Sequence, residues 1–199
     1  MPVENPPAFW RLVIAIAVPP EVRQEIGRAQ SRLQRHSPPG AVRWTRPEQF
    51  HITLKFLGDV PVEQVVALEK SVAVVCAGFP ALRLSARGIG FFPSERKPRV
   101  IWAGASDDGG HLPGLHRHLD EALRWLAPAE LPEKFTSHIT LGRFKPGHHA
   151  AIPKVVELAA ELRNRDFGNW QSDKVEIIRS ELSSDGAEHT PIAAFPLAG

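Results

Sequence analysis

Apolar positions along the chain change period in a way that marks alternating strands and helices. The run over 11–18 (Arg-Leu-Val-Ile-Ala-Ile-Ala-Val) is too apolar for a half-exposed strand and reads as a central one covered on both faces. Pro19-Pro20 ends it, and Pro20 suits the first turn of a helix. Over 21–36, Val22, Ile26, Ala29 and Leu33 recur at helical spacing, and Pro38-Pro39-Gly40 closes that segment. A short strand over 42–45 follows. Further helices are predicted over 62–76 (Val62, Val65, Leu68, Val72), over 112–126 (Leu115, Leu119, Leu123, Leu126) and over 153–162. Residues 81–86 alternate as a strand does, and the polar stretch 94–98 reads as a hairpin turn joining 89–92 to 100–102. Two closing strands, 174–182 and 191–197, flank a turn around Asp185-Gly186, and the Pro-rich first ten residues are expected to be loosely ordered up to Trp10. Strands and helices alternate in each half with hairpins among them, which predicts an α+β fold built on antiparallel sheets.

One short stretch occurs twice. The first copy is Phe50-His51-Ile52-Thr53-Leu54-Lys55-Phe56-Leu57-Gly58, and the second is Ser137-His138-Ile139-Thr140-Leu141-Gly142-Arg143-Phe144-Lys145. The two histidines stand 87 residues apart (138 − 51). A strand sends alternate side chains to opposite faces. His51 and Thr53 therefore share one face, with Ile52, Leu54 and Phe56 expected to pack beneath, and His138 and Thr140 sit above Ile139 and Leu141. Gly58-Asp59 is expected to end the first motif strand. The repeat points to two related halves, each delivering one imidazole and one hydroxyl to a shared cleft.

Composition narrows the classes. At 199 residues and 43% hydrophobic, the chain can bury a core without disulfides, and one domain spanning 1–199 with two interleaved lobes is the expectation. Cys76 lies in an apolar run and reads as a core residue. No signal-peptide order opens the chain and no stretch approaches the roughly 18 apolar residues of a membrane span, so a cytoplasmic protein without membrane association is expected. A net charge of +2 does not mark a binder of long nucleic-acid tracks, but it suits one phosphate or a strand end. Tyrosine is absent, which leaves Trp and Phe for any contact to a base.

Metal and nucleotide-hydrolysis chemistry find little support. His116 and His118 are two apart on a helix and diverge, so with His111 they read as a solvated face. His148-His149 has no carboxylate or thiol nearby in sequence. No Gly-rich loop with Gly-Lys-Ser/Thr occurs. No metal and no cofactor is expected.

The paired His-Ile-Thr-Leu motifs resemble the 2H phosphoesterase superfamily, and within it the RNA 2′,3′-cyclic phosphodiesterase family, whose members have also been described as 2′-5′ RNA ligases. Supporting stretches are 11–18, Val42-Arg43-Trp44, Lys55-Phe56-Leu57-Gly58, Gly90-Phe91-Phe92-Pro93, Val100-Ile101-Trp102 and the closing 179–182 and 195–197. The resemblance implies two lobes related by a pseudo-twofold axis, with outer helices and a central cleft. It implies conversion of a terminal 2′,3′-cyclic phosphate on RNA to a 2′-phosphate, catalysed by His51 and His138. Two imidazoles with reference pKa of about 6.5 can serve as acid and base without a metal. His51 is assigned as the acid and His138 as the base, an order that symmetric repeats do not fix. Thr53 and Thr140 can donate to the phosphate oxygens.

The family pattern carries an Arg five residues after the second His, which Arg143 matches. Strict alternation puts Arg143 on the wrong face, so the match requires a bulge or a side chain curling round the strand end. Lys55 has the right parity with His51, but Arg143 is preferred. Phe91, Phe92 and Trp44 are candidates for stacking on a base, weighed against core roles. Two departures stand out. Ser137 replaces a frequent proline, with a looser start to the second motif strand expected, and His189 lies near a frequent tyrosine and is assigned no role. The expected partner is RNA with a 2′,3′-cyclic phosphate end or a small cyclic nucleotide, and the expected state is a monomer. The alternatives are a reversible 2′-5′ RNA ligase, a small cyclic-nucleotide phosphodiesterase and a non-catalytic RNA-end-binding protein. The last is disfavoured because binding alone is better served by Arg and Lys than by two half-charged imidazoles.

Overall fold

Residues 12–16 are almost wholly buried, as a doubly covered central strand requires. The computed structural model describes residues 8–126, 135–147, 152–183 and 186–198. In chain order these form β1 (Phe9–Ala17), α1 (Pro20–Arg35), β2 (Val42–Trp44), β3 (His51–Pro61), α2 (Val65–Cys76), β4 (Leu82–Phe92) and β5 (Val100–Asp107). They continue through α3 (Leu112–Ala122), β6 (His138–Phe144), α4 (Ile152–Glu161), β7 (Asp166–Ser172), β8 (Lys174–Ser183) and β9 (Gly186–Pro196). The expectations for residues 1–7, for His148-His149 and for Asp185 lie outside the described residues.

The strands run in the order β7-β4-β5-β6-β3-β1-β8-β9, with β2 beside β6, and every neighbour pairs antiparallel. The sheet curls into a half-barrel, matching the α+β expectation. Its two halves, β7-β4-β5-β6 with β2 and β3-β1-β8-β9, meet through one residue pair, Ile52 of β3 with Ile139 of β6. These are the matching residues of the two motif copies, so the pseudo-twofold relation passes between them. The helices cover one face with apolar stripes: Val22, Ile26, Ala29 and Leu33 on α1 and Val65, Leu68 and Val72 on α2, as read from the sequence, extended by Cys76, and on α3 Leu115 and Leu119, likewise read, joined by Leu112. Each such Leu or Ile contributes about 1.5–3 kcal/mol by leaving water. Val62 falls in a short 3₁₀ turn before α2, and Leu126 lies beyond the end of α3.

The motif strands depart from strict alternation at matching places. Ile14 pairs with Lys55 and Ala15 with Thr53, so Leu54 is an extra residue bulged out of the ladder. On β6, Ile101 pairs with Gly142 and Trp102 with Thr140, so Leu141 is bulged in the same way. A bulge reverses which residues face the core. Lys55 therefore turns under the sheet, 3% exposed, and forms an ion pair with Asp120 of α3. Phe56 turns out, 57% exposed, which corrects its expected place beneath His51. Gly58 does not end the strand either. At φ 70° it follows a second bulge, at Leu57, and β3 continues to Pro61.

The bulges at Leu54 and Leu141 each leave a carbonyl that a helix side chain satisfies. The Leu141 carbonyl accepts from the Thr45 N–H and from Nε2 of Gln30, both at 2.8 Å, and Gln30 on α1 is 2% exposed. The Leu54 carbonyl accepts from Nδ1 of His116 at 2.7 Å. His116 also stacks on Phe135 at 4.2 Å, so it is not part of the solvated face expected for it, whereas His111 and His118 are exposed. At Gly142, a Cβ would come within 2.8 Å of Val42 and 3.0 Å of Trp44, so glycine is what lets β2 close over this bulge.

Lys55 is buried with one partner, and removing that partner strands a charge in the core. Asp120→Ala is expected to cost about 3–5 kcal/mol in urea unfolding. Adding Lys55→Met should recover much of the loss. A shift below about 1 kcal/mol would mean that the ammonium reaches water in the native state.

Candidate active site

The Ile52–Ile139 pair sets the register of the whole site. Continued one residue each way, an antiparallel register places His51 opposite Thr140 and Thr53 opposite His138. The isoleucines point into the core at 0% exposure, so the four polar side chains share the opposite, open face, each half-buried. The four residues read from the motifs are thus brought together.

Both imidazoles are fixed in the same way. His51 Nδ1 lies 2.8 Å from the Gln49 carbonyl, and His138 Nδ1 lies 2.8 Å from the Thr136 carbonyl, in each case two residues upstream. A carbonyl can only accept, so Nδ1 carries the proton and Nε2 is left with its lone pair in both neutral rings. Burial pushes the His51 pKa down to about 4, helped by the neighbouring His189 and His138 and opposed by the Gln49 carbonyl. The His138 pKa is also lowered, first by burial and further by the Arg143 cation, against the Thr136 carbonyl. Both rings are therefore neutral near pH 7 in the free protein.

The bulge at Leu141 brings Arg143 to the open face, where its charge is felt at His138. Arg43 pairs with it across β2 and β6 and adds a second cation. Burial and that neighbour lower the Arg143 pKa. The same bulge geometry removes Lys55 from the site and puts Phe56 at the position equivalent to Arg143.

Among the stacking candidates, Phe91 belongs to the core at 7% exposure and Trp44 packs against the core beside Gly142. Phe92 does reach the site. Its ring meets the His138 ring edge-on at 4.9 Å and lies 5.1 Å from Trp102. Trp102 lies flat across Gly90, where a Cβ would sit 2.2 Å from the indole. On the other side, His189 packs edge-on to His51 at 5.3 Å. A cavity of about 180 Å³ opens there, lined in part by Arg23, Gln49, His51, Glu176 and His189. A broader open groove on the outer side of α1, lined by Arg28 and Arg35 among others, touches neither motif histidine.

Trp102, His189, Arg43 and Phe56 were not found as site residues by sequence reasoning. Only pairing across strands reveals their faces, and no spacing within one strand reports it. The start of β6 is not loosened by Ser137, whose hydroxyl donates to the Ala105 carbonyl at 2.6 Å. Among the described residues no group of three or more His, Cys, Asp or Glu side chains is placed to hold a metal ion. No helix among them is long and apolar enough to cross a membrane.

With this geometry in hand, similarity to known proteins becomes informative. A family model described as LigT like Phosphoesterase matches residues 16–102. The chain is 31% identical over 188 residues to an RNA 2′,3′-cyclic phosphodiesterase of Methanothermobacter thermautotrophicus, covering 94% of this chain and 98% of that protein. It is 33% identical over 202 residues to the protein of the same name from Thermus thermophilus, covering 95% and 91%. A crystal structure of a protein from Thermus thermophilus superimposes with a TM-score of 0.76 at 28% identity, over 95% of this chain and 98% of the other.

The buried, Nδ1-bonded imidazoles have a direct spectroscopic consequence. In an NMR titration of the free protein, His51 should stay neutral until the pH falls to about 4, and His138 should titrate below 6.5. Inorganic phosphate should raise both midpoints, since an anion favours the charged rings. A His51 midpoint near 6.5 without ligand would remove the desolvation argument.

Proposed function

We propose that this chain, which belongs to the LigT-like phosphoesterase family of 2H phosphoesterases, is an RNA 2′,3′-cyclic phosphodiesterase. The observation that carries the reading is the four-residue array around Ile52 and Ile139, with both Nδ1 atoms held by upstream carbonyls. The relatives' names supply the substrate class.

The phosphate of a cyclic end sits between the two imidazoles. His138 Nε2 takes a proton from water as the water oxygen bonds to phosphorus. The P–O3′ bond breaks, His51 Nε2 gives its proton to O3′, and the phosphate stays on O2′. Thr53 and Thr140 donate to the non-bridging oxygens, whose charge grows in the transition state, and Arg143 supplies the compensating cation. The cycle needs His51 protonated, although burial disfavours that state in the free protein. The bound anion offsets the burial, so substrate binding itself loads the acid with its proton.

Incubation in EDTA with a short RNA ending in 2′,3′-cyclic phosphate should give a 2′-phosphate end. His51→Ala and His138→Ala should each lose about 10²–10⁴-fold in kcat while remaining folded. Bound but unaltered RNA would point instead to a recognition protein, and full activity in either variant would remove that histidine from the chemistry.

The two pH profiles should differ. Both histidine values are lowered in the free protein, so the acid loses its proton there as the pH rises, below the usual histidine range. The kcat/KM profile, which reports free protein, should therefore peak at lower pH than the kcat profile, which reports the complex. Superimposed profiles, with chemistry limiting, would contradict charge loading by the phosphate.

A further inference from the structure

The two flanks of the histidine pair are chemically different. Beyond His138 stand rings: Phe92 against the imidazole, and Trp102 spread over Gly90. Beyond His51, strands β1, β8 and β9 enclose the cavity of about 180 Å³. Its apolar part comes from Ala17, Val18, Phe50, Ile178 and Pro191, and its polar part is unusual. Nδ1 of His189 and Nε of Arg23 are both buried without a hydrogen-bond partner, as is Nε1 of Trp102 on the His138 flank. Glu176 is 7% exposed, with one carboxylate oxygen 2.7 Å from Lys174 Nζ. A buried donor left unpaired costs about 1–3 kcal/mol. Arg23, His189 and Glu176 nevertheless line one cavity beside the His51 imidazole, which groups their polar side chains around a single space.

We propose that this cavity is the subsite for the terminal nucleoside of the substrate, with Arg23 and His189 hydrogen-bonding the polar edge of its base. The inference rests on the hydrolase reading with His51 as acid. In a 2′,3′-cyclic phosphate both bridging oxygens belong to one ribose, and water attacks phosphorus opposite O3′. The nucleoside therefore lies on the side of the acid, and only water lies on the side of the base. His51 faces a polar cavity and His138 faces a wall of rings, so the bulky group fits on the His51 flank. The volume is below the 300–1,000 Å³ of pockets for drug-sized ligands. It suits one ring system, with the rest of the nucleotide in the open cleft.

The polar inventory also fits a base edge, which presents donors and acceptors side by side. The Arg23 guanidinium is steadied through Nη1 by the Glu48 carbonyl at 3.4 Å, which leaves its Nε–H to donate. Burial lowers the His189 pKa, with the Arg46 cation adding to the effect. A neutral His189 donates or accepts at Nδ1 according to its tautomer.

The test compares cyclic-phosphate RNA ends that carry a base with otherwise identical ends that are abasic. His189→Phe keeps a ring against His51 and removes the nitrogens, while Arg23→Lys keeps the charge and removes Nε. In either variant, the preference in kcat/KM for the base-bearing end should fall about tenfold, mainly through KM, as for the loss of one well-made hydrogen bond. Equal losses on both ends would mean that His189 acts only through the placement of His51, and no loss on either would place the base elsewhere. Both results overturn the subsite. Calorimetric binding of a 2′-nucleotide against ribose 2′-phosphate makes the same comparison without turnover. A wild-type protein that prefers the nucleotide yet opens no cyclic phosphate would retain the subsite and lose the hydrolase reading.

Discussion

The candidate site depends on two β-bulges, one at Leu54 and one at Leu141. Without them, strict alternation would put Lys55 on the open face and Arg143 in the core. With them, the motif strand changes face between its His-Ile-Thr half and its trailing half. Such a reversal leaves carbonyls outside the ladder, and the fold meets that cost from the helices, through Gln30 on α1 and His116 on α3. The helices therefore fix the site as well as cover the core. Packing and chemistry are coupled through two hydrogen bonds of 2.8 and 2.7 Å.

The second organising feature is a near symmetry that is broken where function needs polarity. The halves share the Ile–Thr arrangement, the upstream carbonyl that fixes each imidazole, and the bulge. They differ in what the bulge exposes, Arg143 in one half and Phe56 in the other. They also differ in what lies beyond each histidine, rings beside His138 and a polar cavity beside His51. Two equivalent imidazoles could exchange roles freely. In the proposed mechanism, unequal flanks orient the substrate and assign each imidazole one task.

Much of the architecture was legible because burial imposes a period. The helices on Val22-Ile26-Leu33, Val65-Leu68-Val72 and Leu112-Leu115-Leu119, and the central strand over 12–16, follow from apolar spacing alone. The parity of His51 with Thr53 and of His138 with Thr140 was equally readable, because residues two apart on a strand share a face. Parity failed three residues after each histidine. Nothing local marks Leu54 or Leu141 as bulged, since the extra residue exists only relative to a partner strand distant in sequence. Phe56 and Lys55 were consequently placed on each other's faces.

Residues adjacent in the chain were enough to establish that two His-Ile-Thr-Leu strands exist, that each points an imidazole and a hydroxyl the same way, and that a family of phosphoesterases uses this pair. Folding settled the rest: Ile52 meets Ile139, Arg143 joins the site while Lys55 leaves it for Asp120, and His189 and Trp102 stand on opposite flanks. Each of those outcomes depends on register between strands far apart in sequence. Register is set by the sum of core contacts and not by any local pattern.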